Sequence, residues 1–241
     1  MFRKLFGVVG VSSLIISASL SVAAAADMPL KAPPAPMPSP AWNWSGFYVG
    51  LEGGVGTART KQTDTLGVTT GTYNQTGGLA GGTIGYNWQM NRMVFGLEGD
   101  MSWAGIDGSV NLPGTCTAGS GTVCFTNLRW LNTDRVRIGV TTPSNQFLFY
   151  VTGGLAGADI RAGQESCSTP VPGATASCGT RTEWAPVGGA GIEAMLAPKW
   201  SAKVEYLYTN FGTRTFYTVV IPVNAEEKNV NIFRAGVNYH F

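Results

Sequence analysis

The carboxyl-terminal stretch NIFRAGVNYHF, residues 231–241, decides the fold. Alternate residues from Phe233 to Phe241 form an apolar face, and the residues between them form a mostly polar one. This period of two is typical of a β-strand with one side away from water. The last residues of a soluble domain are usually frayed and polar, so a terminal phenylalanine indicates a lipid-facing side. The stretch predicts the closing strand of a barrel whose other strands lie upstream.

The composition narrows the class of protein. Of 241 residues, 33 are glycine and only 12% are charged, with a net charge of +2. Sparse charge and abundant glycine disfavour a coiled coil and an acidic disordered chain. The small net charge, without a basic run, disfavours a nucleic-acid-binding protein. A helical membrane protein is disfavoured by the moderate hydrophobicity, which a barrel tolerates because its lipid-facing residues alternate with polar ones.

The amino terminus carries an export signal. Arg3 and Lys4 precede an apolar run over 5–20, and three alanines at 24–26 provide a small-residue cleavage site. An uncleaved anchor helix is the alternative, which the small-residue end disfavours. A proline-rich segment follows and cannot join a sheet ladder. We therefore expect three segments: a signal peptide over 1–26, a Pro-rich periplasmic linker over 27–44 and the β-barrel over 45–241.

The four cysteines form two close pairs in separate polar segments, Cys116 with Cys124 and Cys167 with Cys178. Neither spacing is that of a zinc site, and the single histidine is far away in sequence. Three disulfide connectivities exist in principle, and local pairing is the simplest. Disulfides require the oxidising compartment that export provides.

Alternating apolar patterns predict eight strands of roughly ten residues, a length that suits a tilted membrane-spanning strand. Short turns follow the second, fourth and sixth strands, at 89–92, 142–145 and 197–200. Long polar segments follow the others, at about 57–76, 104–126, 161–181 and 212–228. This strict alternation predicts an all-β fold, an eight-stranded antiparallel up-and-down transmembrane β-barrel with four long extracellular loops. The register of the fifth strand stays open because both of its faces are apolar at the start.

Aromatic residues fall at both ends of the predicted strands. Near the short turns and the chain end lie Phe47, Trp88, Phe95, Phe147, Trp200, Tyr239 and Phe241. Near the long segments lie Trp103, Trp130, Trp184, Tyr208 and Phe233. These positions predict the two aromatic belts that a membrane barrel places at its interfaces.

The inward faces of the predicted strands carry both acids and bases. Because the interior of an eight-stranded barrel is just wide enough for side chains to fill it, these charges must pair. We predict a lumen charge network of Glu52, Glu98, Asp100, Arg135, Arg137, Glu183, Glu193, Lys203, Glu205 and Arg234. A packed polar plug is favoured over a narrow ion pathway or gate.

Features that resemble chemical sites have simpler explanations. The glycine runs at 77–82 and 188–191 lack the strand–turn–helix context of phosphate loops, and strand curvature explains them better. Glu98 and Asp100 share one strand face, where pairing with arginine is favoured over acid–base catalysis. His240 lies at the periplasmic end without a catalytic set near the outer leaflet. We predict a protein that is not an enzyme and has no catalytic, metal or cofactor site.

Several short motifs carry a family resemblance: WNWSGFYVG at 42–50, YVTGGLAG at 150–157, VEYLYTNFG at 204–212 and VNYHF at 237–241. With the signal and the linker, they make the chain resemble the small outer-membrane surface proteins of alphaproteobacteria. Those proteins belong to the porin-type superfamily that includes the OmpA-like eight-stranded barrel. The resemblance implies location in the cell outer membrane, surface loops and a role in the envelope, but not conduction. It also implies that the barrel-assembly machinery reads the terminal strand through Phe233, Val237, Tyr239 and Phe241.

The favoured function is therefore that of a structural and envelope-integrity protein exposed at the surface. The alternatives are a narrow porin that passes ions or small solutes, and an adhesin-like or ligand-binding surface barrel. A soluble lipocalin-like barrel would need an apolar interior, the inverse of the predicted charge placement. Expected partners are outer-membrane lipid and lipopolysaccharide, the barrel-assembly machinery during insertion, and peptidoglycan or host-surface contacts; nucleic acid is not expected.

Overall fold

The computed structural model describes residues 42–64, 67, 69–111, 123–164, 178–218 and 222–241. The predicted signal peptide, most of the linker, Cys116 and Cys167 lie outside these residues. None of the described residues belongs to a helix long and apolar enough to cross a membrane. The strands are β1 Gly46–Asp64, β2 Thr69–Met90, β3 Met93–Asn111, β4 Val123–Thr141, β5 Phe147–Gln164, β6 Cys178–Ala197, β7 Trp200–Thr209, β8 Gly212–Thr218 and β9 Pro222–His240.

The strands close into one antiparallel ring. Each strand from β1 to β7 pairs with its neighbour in sequence, and β9 pairs with both β7 and β1. β8 pairs with the part of β9 that lies beyond its pairing with β7, so β7 and β8 together form one stave of the barrel. This stave breaks where Gly212 adopts a φ of 76° and donates its N–H to Asn210 Oδ1 at 3.0 Å. The ring therefore has eight staves, which confirms the predicted up-and-down barrel.

Most strands are about twice as long as the sequence predicts, because they extend past the membrane on the extracellular side. Six span 18 to 20 residues and β2 spans 22, while β7 and β8 are shorter. The predicted long loops at 57–76 and 212–228 are therefore wrong, since both segments are mostly hairpin strands. Their outward residues meet water, so the apolar alternation that reveals a membrane strand disappears there. Threonine, which favours strands, recurs in both segments.

The stagger of the ring sets the tilt of its strands. A row of paired residues that starts at Phe47 and passes through every stave returns to β1 at Thr57, ten residues further along. Strands in closed barrels with such a stagger are inclined by roughly 35–45° to the barrel axis. Residues that are paired on neighbouring strands therefore lie at different heights along the barrel axis. Residues at the same height are offset along the strands from one stave to the next.

The outer wall is apolar, and large side chains point away from the barrel at both ends. Phe47, Trp88, Phe147, Trp200 and Phe241 are exposed at the end with short turns, and Trp103, Trp184, Tyr208 and Phe233 at the other. Phe95, Trp130 and Tyr239 are half-buried members of the same belts. The structure also determines the register of β5: Phe147, Phe149 and Val151 point outward, whereas Leu148 and Tyr150 are buried inside.

One acidic side chain lies on this apolar wall. Asp134 on β4 is exposed and pairs with Gly99 and Leu155 on the neighbouring strands. It is two residues from exposed Val136 and four residues, about 13 Å along the strand, from the belt residue Trp130. The carboxyl group therefore lies well inside the lipid-facing band, where a charge is costly.

We expect Asp134→Leu to stabilise the barrel by about 1–3 kcal/mol, because it removes an acidic group from the lipid-facing wall. The measurement is urea unfolding in phosphatidylcholine vesicles, followed by tryptophan fluorescence. Asp107→Leu is the control, since Asp107 also points outward but lies beyond the aromatic belt on β3. An equal gain from both substitutions, or none from Asp134→Leu, would contradict the lipid-facing placement.

Candidate functional site in the barrel interior

Two arginines at the centre of the lumen bind carboxylates from several staves. Arg135 contacts Glu98, Asp100 at 2.9 Å and Glu205 at 2.9 Å. Arg234 contacts Glu52, Asp100 at 2.8 Å and Glu205 at 2.7 Å. All six of these side chains are 0–1% exposed, so the pairs are separated from water.

A second part of the network extends toward the periplasmic end. Lys203 Nζ lies 3.2 Å from both Glu52 and Glu98, and Arg137 Nη1 lies 2.9 Å from Glu193 and 3.5 Å from Glu98. Nine of the ten predicted lumen residues thus form one continuous network, with four bases and five acids: Glu52, Glu98, Asp100, Arg135, Arg137, Glu193, Lys203, Glu205 and Arg234. Buried charges persist when each is paired and hydrogen-bonded, as here.

Two tyrosines hold Arg137 in place. The Arg137 guanidinium lies 4.8 Å from the centre of the Tyr48 ring and 5.2 Å from that of Tyr150. Inward-facing glycines make room for these side chains: a Cβ at Gly85 would lie 2.2 Å from the Tyr48 hydroxyl, and one at Gly96 would lie 2.9 Å from Arg137 Cγ. These two glycines therefore serve the packing of the lumen, a role that the sequence analysis did not identify.

An aromatic plug closes the periplasmic end. Trp44 is fully buried and donates its indole N–H to the carbonyl of Asn145 at 2.8 Å. It packs with Val94, Leu148 and Met195 below the charge network. Trp44 is predicted to belong to the linker, and this prediction is wrong: the residue lies inside the barrel and fills its periplasmic end. The first strand begins only at Gly46. Its alternating pattern therefore does not show that the residues before it turn into the barrel.

His240 lies in this plug and meets Ser201 and Glu193. Ser201 Oγ is 2.9 Å from His240 Nε2 and also donates to Glu193, while His240 Nε2 lies 3.7 Å from Glu193 Oε1. In a catalytic triad, the serine and the carboxylate contact opposite nitrogens of the imidazole. Here the same nitrogen faces both groups, and Ser201 is fully buried. The three residues form a structural hydrogen-bond cluster that sequence spacing could not reveal.

An apolar layer closes the lumen on the extracellular side of the network. Its largest side chains are each at most 3% exposed and come from strands around the ring: Ile106, Leu128, Leu131, Ile160, Leu207, Phe211 and Ile232. The sequence predicts a packed polar plug; the structure contains the charge network and, in addition, this apolar layer, which the prediction did not include. Belt aromatics such as Trp130, Tyr208 and Phe233 lie next to several of these residues on the outward face, so the alternation of apolar and polar residues that marks inward positions is weakest there.

Beyond this layer, a buried carboxyl group has only neutral partners among the described residues. Glu227 is 2% exposed and accepts hydrogen bonds from Thr60 Oγ1 at 2.6 Å and Gln75 Nε2 at 2.9 Å. It lies on β9 past the position where Tyr208 marks the outer belt. Burial, which disfavours the charged form, raises the pKa of Glu227 to about 7, although both hydrogen bonds act in the opposite direction.

Glu183, the tenth predicted network residue, lies apart at the outer mouth. Its carboxylate binds Arg181 at 3.1 Å and Arg214 at 3.0 Å. Its assignment to the central network is therefore corrected. The apolar layer lies between this cluster and the network. Neither arginine was predicted, because both fall in segments that the sequence analysis treated as loops.

Both described cysteines, Cys124 and Cys178, are disulfide-bonded. They lie at the extracellular ends of β4 and β6. Local pairing with Cys116 and Cys167 stays a prediction, since those two residues lie outside the described part of the chain.

We expect Arg135→Met to destabilise the barrel by about 3–5 kcal/mol, because the substitution keeps the volume but leaves three buried carboxylates without a shared cation. Arg161→Met is the matched control: Arg161 lies on the outer wall beyond the belt, 6.0 Å above the Phe125 ring. Its loss should cost less than about 1 kcal/mol. Chemical unfolding in detergent micelles measures both; similar costs would contradict the central role of Arg135.

The raised pKa of Glu227 predicts a specific pH dependence. The folded barrel binds this proton more tightly than the unfolded chain, so stability is fullest below pH 4.5 and declines as pH rises toward 7. The full decline from this group is about 3 kcal/mol. Glu227→Gln should remove it and make the variant more stable than the native protein at pH 8. Thermal unfolding between pH 5 and 8 is the measurement.

The control for this experiment is Glu226→Gln, which alters the neighbouring side chain that binds Lys228 on the outer surface. This variant should keep the decline between pH 5 and 7. A native protein whose stability does not fall across that range would contradict the assignment to Glu227.

Comparison with known proteins agrees with this architecture. The chain matches the family model described as "Outer membrane protein beta-barrel domain" over residues 12–241. It is 30% identical over 230 residues to the 31 kDa outer-membrane immunogenic protein of Brucella melitensis, and the alignment covers 91% of this chain and 93% of that protein. The 25 kDa outer-membrane immunogenic protein of the same species is 29% identical over 244 residues, covering 95% and 98%. The crystal structure of OprG from Pseudomonas aeruginosa aligns with a TM-score of 0.49 and 13% identity, over 83% of this chain and 99% of that one. The chain belongs to the family of outer-membrane proteins with a β-barrel domain.

Proposed function

We propose that this outer-membrane barrel is a closed structural protein of the envelope that presents its extracellular strands at the cell surface. The observation that carries this proposal is the filling of the lumen. A fully buried ionic network lies between two apolar seals, the plug around Trp44 and the layer that contains Leu131, Leu207 and Ile232. A permeating ion would have to cross both seals and break pairs that are charged and desolvated.

The same geometry argues against the two other classes of function. A narrow porin needs a continuous hydrated path, and Arg137 and Glu193 in the middle of the lumen are 0–1% exposed. An enzyme needs a group that substrate can reach, whereas Ser201 and Glu193 are fully buried beneath the plug and His240 is only 6% exposed. We therefore propose that the protein is not an enzyme.

Two partners belong to this proposal. Outer-membrane lipid, including lipopolysaccharide, would contact the apolar wall between the aromatic belts. The barrel-assembly machinery would bind the terminal strand during insertion, and Phe241 at 72% exposure is available for that contact. Contacts with peptidoglycan or a host surface stay predictions from the sequence.

Single-channel recording in planar bilayers tests the closed lumen. The purified protein should show no steady openings, and Trp44→Ala should show none either, because the apolar layer on the extracellular side remains. A porin of large bore, inserted in the same bilayer, verifies that openings are detectable. Steady openings of the native protein that disappear on substitution of Arg135 or Glu98 would overturn the proposal.

A further inference from the structure

A β-bulge opens the outer wall between β1 and β9, just beyond the aromatic belt. Thr57 pairs with Asn231 and Arg59 pairs with Lys228, so β9 has one more residue than β1 between these pairs. Asn229 takes up the extra length with a φ of 52°, a conformation that asparagine tolerates better than most residues. Bulges re-aim the side chains around them. This one brings Lys228 into register with Arg59 and leaves room beside them.

The room is a groove of about 490 Å³ with a polar lining. Its outward side chains are amides, hydroxyls and one guanidinium from four neighbouring staves, and they include Arg59, Asn74, Tyr206, Tyr208, Asn229 and Asn231. The tyrosines are held by the asparagines, since Tyr206 donates to Asn231 Oδ1 at 2.8 Å and Tyr208 to Asn229 Oδ1 at 2.9 Å. Amide and hydroxyl groups beside aromatic rings suit the hydroxyls and ring faces of a sugar.

The charges at the edge of the groove point to an anion. Arg59 and Lys228 are directly opposite each other on paired strands and are both exposed. Like charges in this position destabilise a sheet unless a counter-charge lies between them. Glu226 pairs with Lys228, also contacts Thr213 Oγ1 at 3.0 Å and lies opposite Lys61 rather than Arg59. Among the described residues, no ion pair to Arg59 forms.

An apolar groove continues from this site across the lipid-facing wall. It is lined by outward side chains such as Val55, Val204, Phe233 and Ala235, and its polar surface is small. Tyr206 lines both grooves. A polar groove with a basic edge, directly above an apolar one, matches a lipid whose acyl chains lie below a phosphorylated sugar headgroup.

We propose that this face of β1 and β9 is a specific binding site for a phosphorylated glycolipid of the outer leaflet. Arg59 and Lys228 hold a phosphate, the amides and tyrosines bind the sugar, and the acyl chains follow the apolar groove below Tyr206. The inference rests on the proposed envelope role only in placing the wall in contact with outer-leaflet lipid. Lipid binding tests the site and conductance tests the closed lumen, so the two can fail independently.

The experiment is native mass spectrometry of the folded full chain in detergent micelles, titrated with bisphosphorylated lipid A. The native protein should retain one lipid A, and the double variant Arg59→Gln/Lys228→Gln should bind it about tenfold more weakly or worse, because two charge-assisted contacts are lost. Arg161→Gln is the matched control, an outward arginine of β5 beyond the belt that lies outside the groove. It should bind like the native protein. Heat-modifiable gel mobility verifies that each variant is folded.

Three further probes separate the sources of the signal. Lipid A without its phosphates should bind the native protein as weakly as bisphosphorylated lipid A binds the double variant. Phosphatidylglycerol should bind more weakly than lipid A, since it has one phosphate and no sugar. Inorganic phosphate at millimolar concentration should not displace lipid A. Equal binding by the double variant, by dephosphorylated lipid A or by phosphatidylglycerol would overturn the proposal, as would protein dimers in place of lipid adducts.

Discussion

The structure depends on one constraint: an eight-stave barrel encloses a space that its own side chains must fill, and here many of those side chains are charged. Isolated buried ions would each cost several kcal/mol, so every cation in the centre shares its charge among several carboxylates. Arg135 and Arg234 have two acceptors in common, Asp100 and Glu205. Loss of either arginine would leave buried negative charge behind, and the network is therefore retained or lost as a unit.

This network also ties the ring together. Its ionic members come from β1, β3, β4, β6, β7 and β9. The two remaining staves join through neutral groups, because Arg137 Nε donates to Asn87 of β2 at 2.9 Å and the Tyr150 hydroxyl of β5 donates to Glu205 at 3.1 Å. Every stave thus contributes a side chain to one connected cluster. The apolar seals at either end keep water from competing for these bonds, which strengthens them and closes the lumen at the same time.

The sequence predicted the parts of this structure in which alternation separates apolar from charged residues. Within the membrane, the position of Arg137 between Val136 and Ile138 indicates that it points inward, and the register found in the structure agrees. The pattern does not distinguish an inward leucine from an outward one, so Leu131 and Leu207 were missed as a seal. It also cannot show where a strand ends once its outward face meets water. Asp134 was overlooked because a lone acid on an outward position has no local signature; only its place among exposed apolar residues makes it unusual.

The inner and outer faces of the barrel solve different problems with the same strands. Inside the barrel, the chain provides both partners of each ion pair. The buried charges are therefore neutralised within the protein itself. On the outer wall at the β1–β9 seam, Arg59 and Lys228 lie opposite each other. Among the described residues, Glu226 is the only acid at that edge, and it is paired with Lys228. A chain that compensates its buried charges so completely leaves the exposed Arg59 without an ion pair in the described part of the chain, to be neutralised by its surroundings. At the level just beyond the aromatic belt, those surroundings are the headgroups of the outer leaflet, so the seam is where the barrel and its membrane are electrostatically coupled.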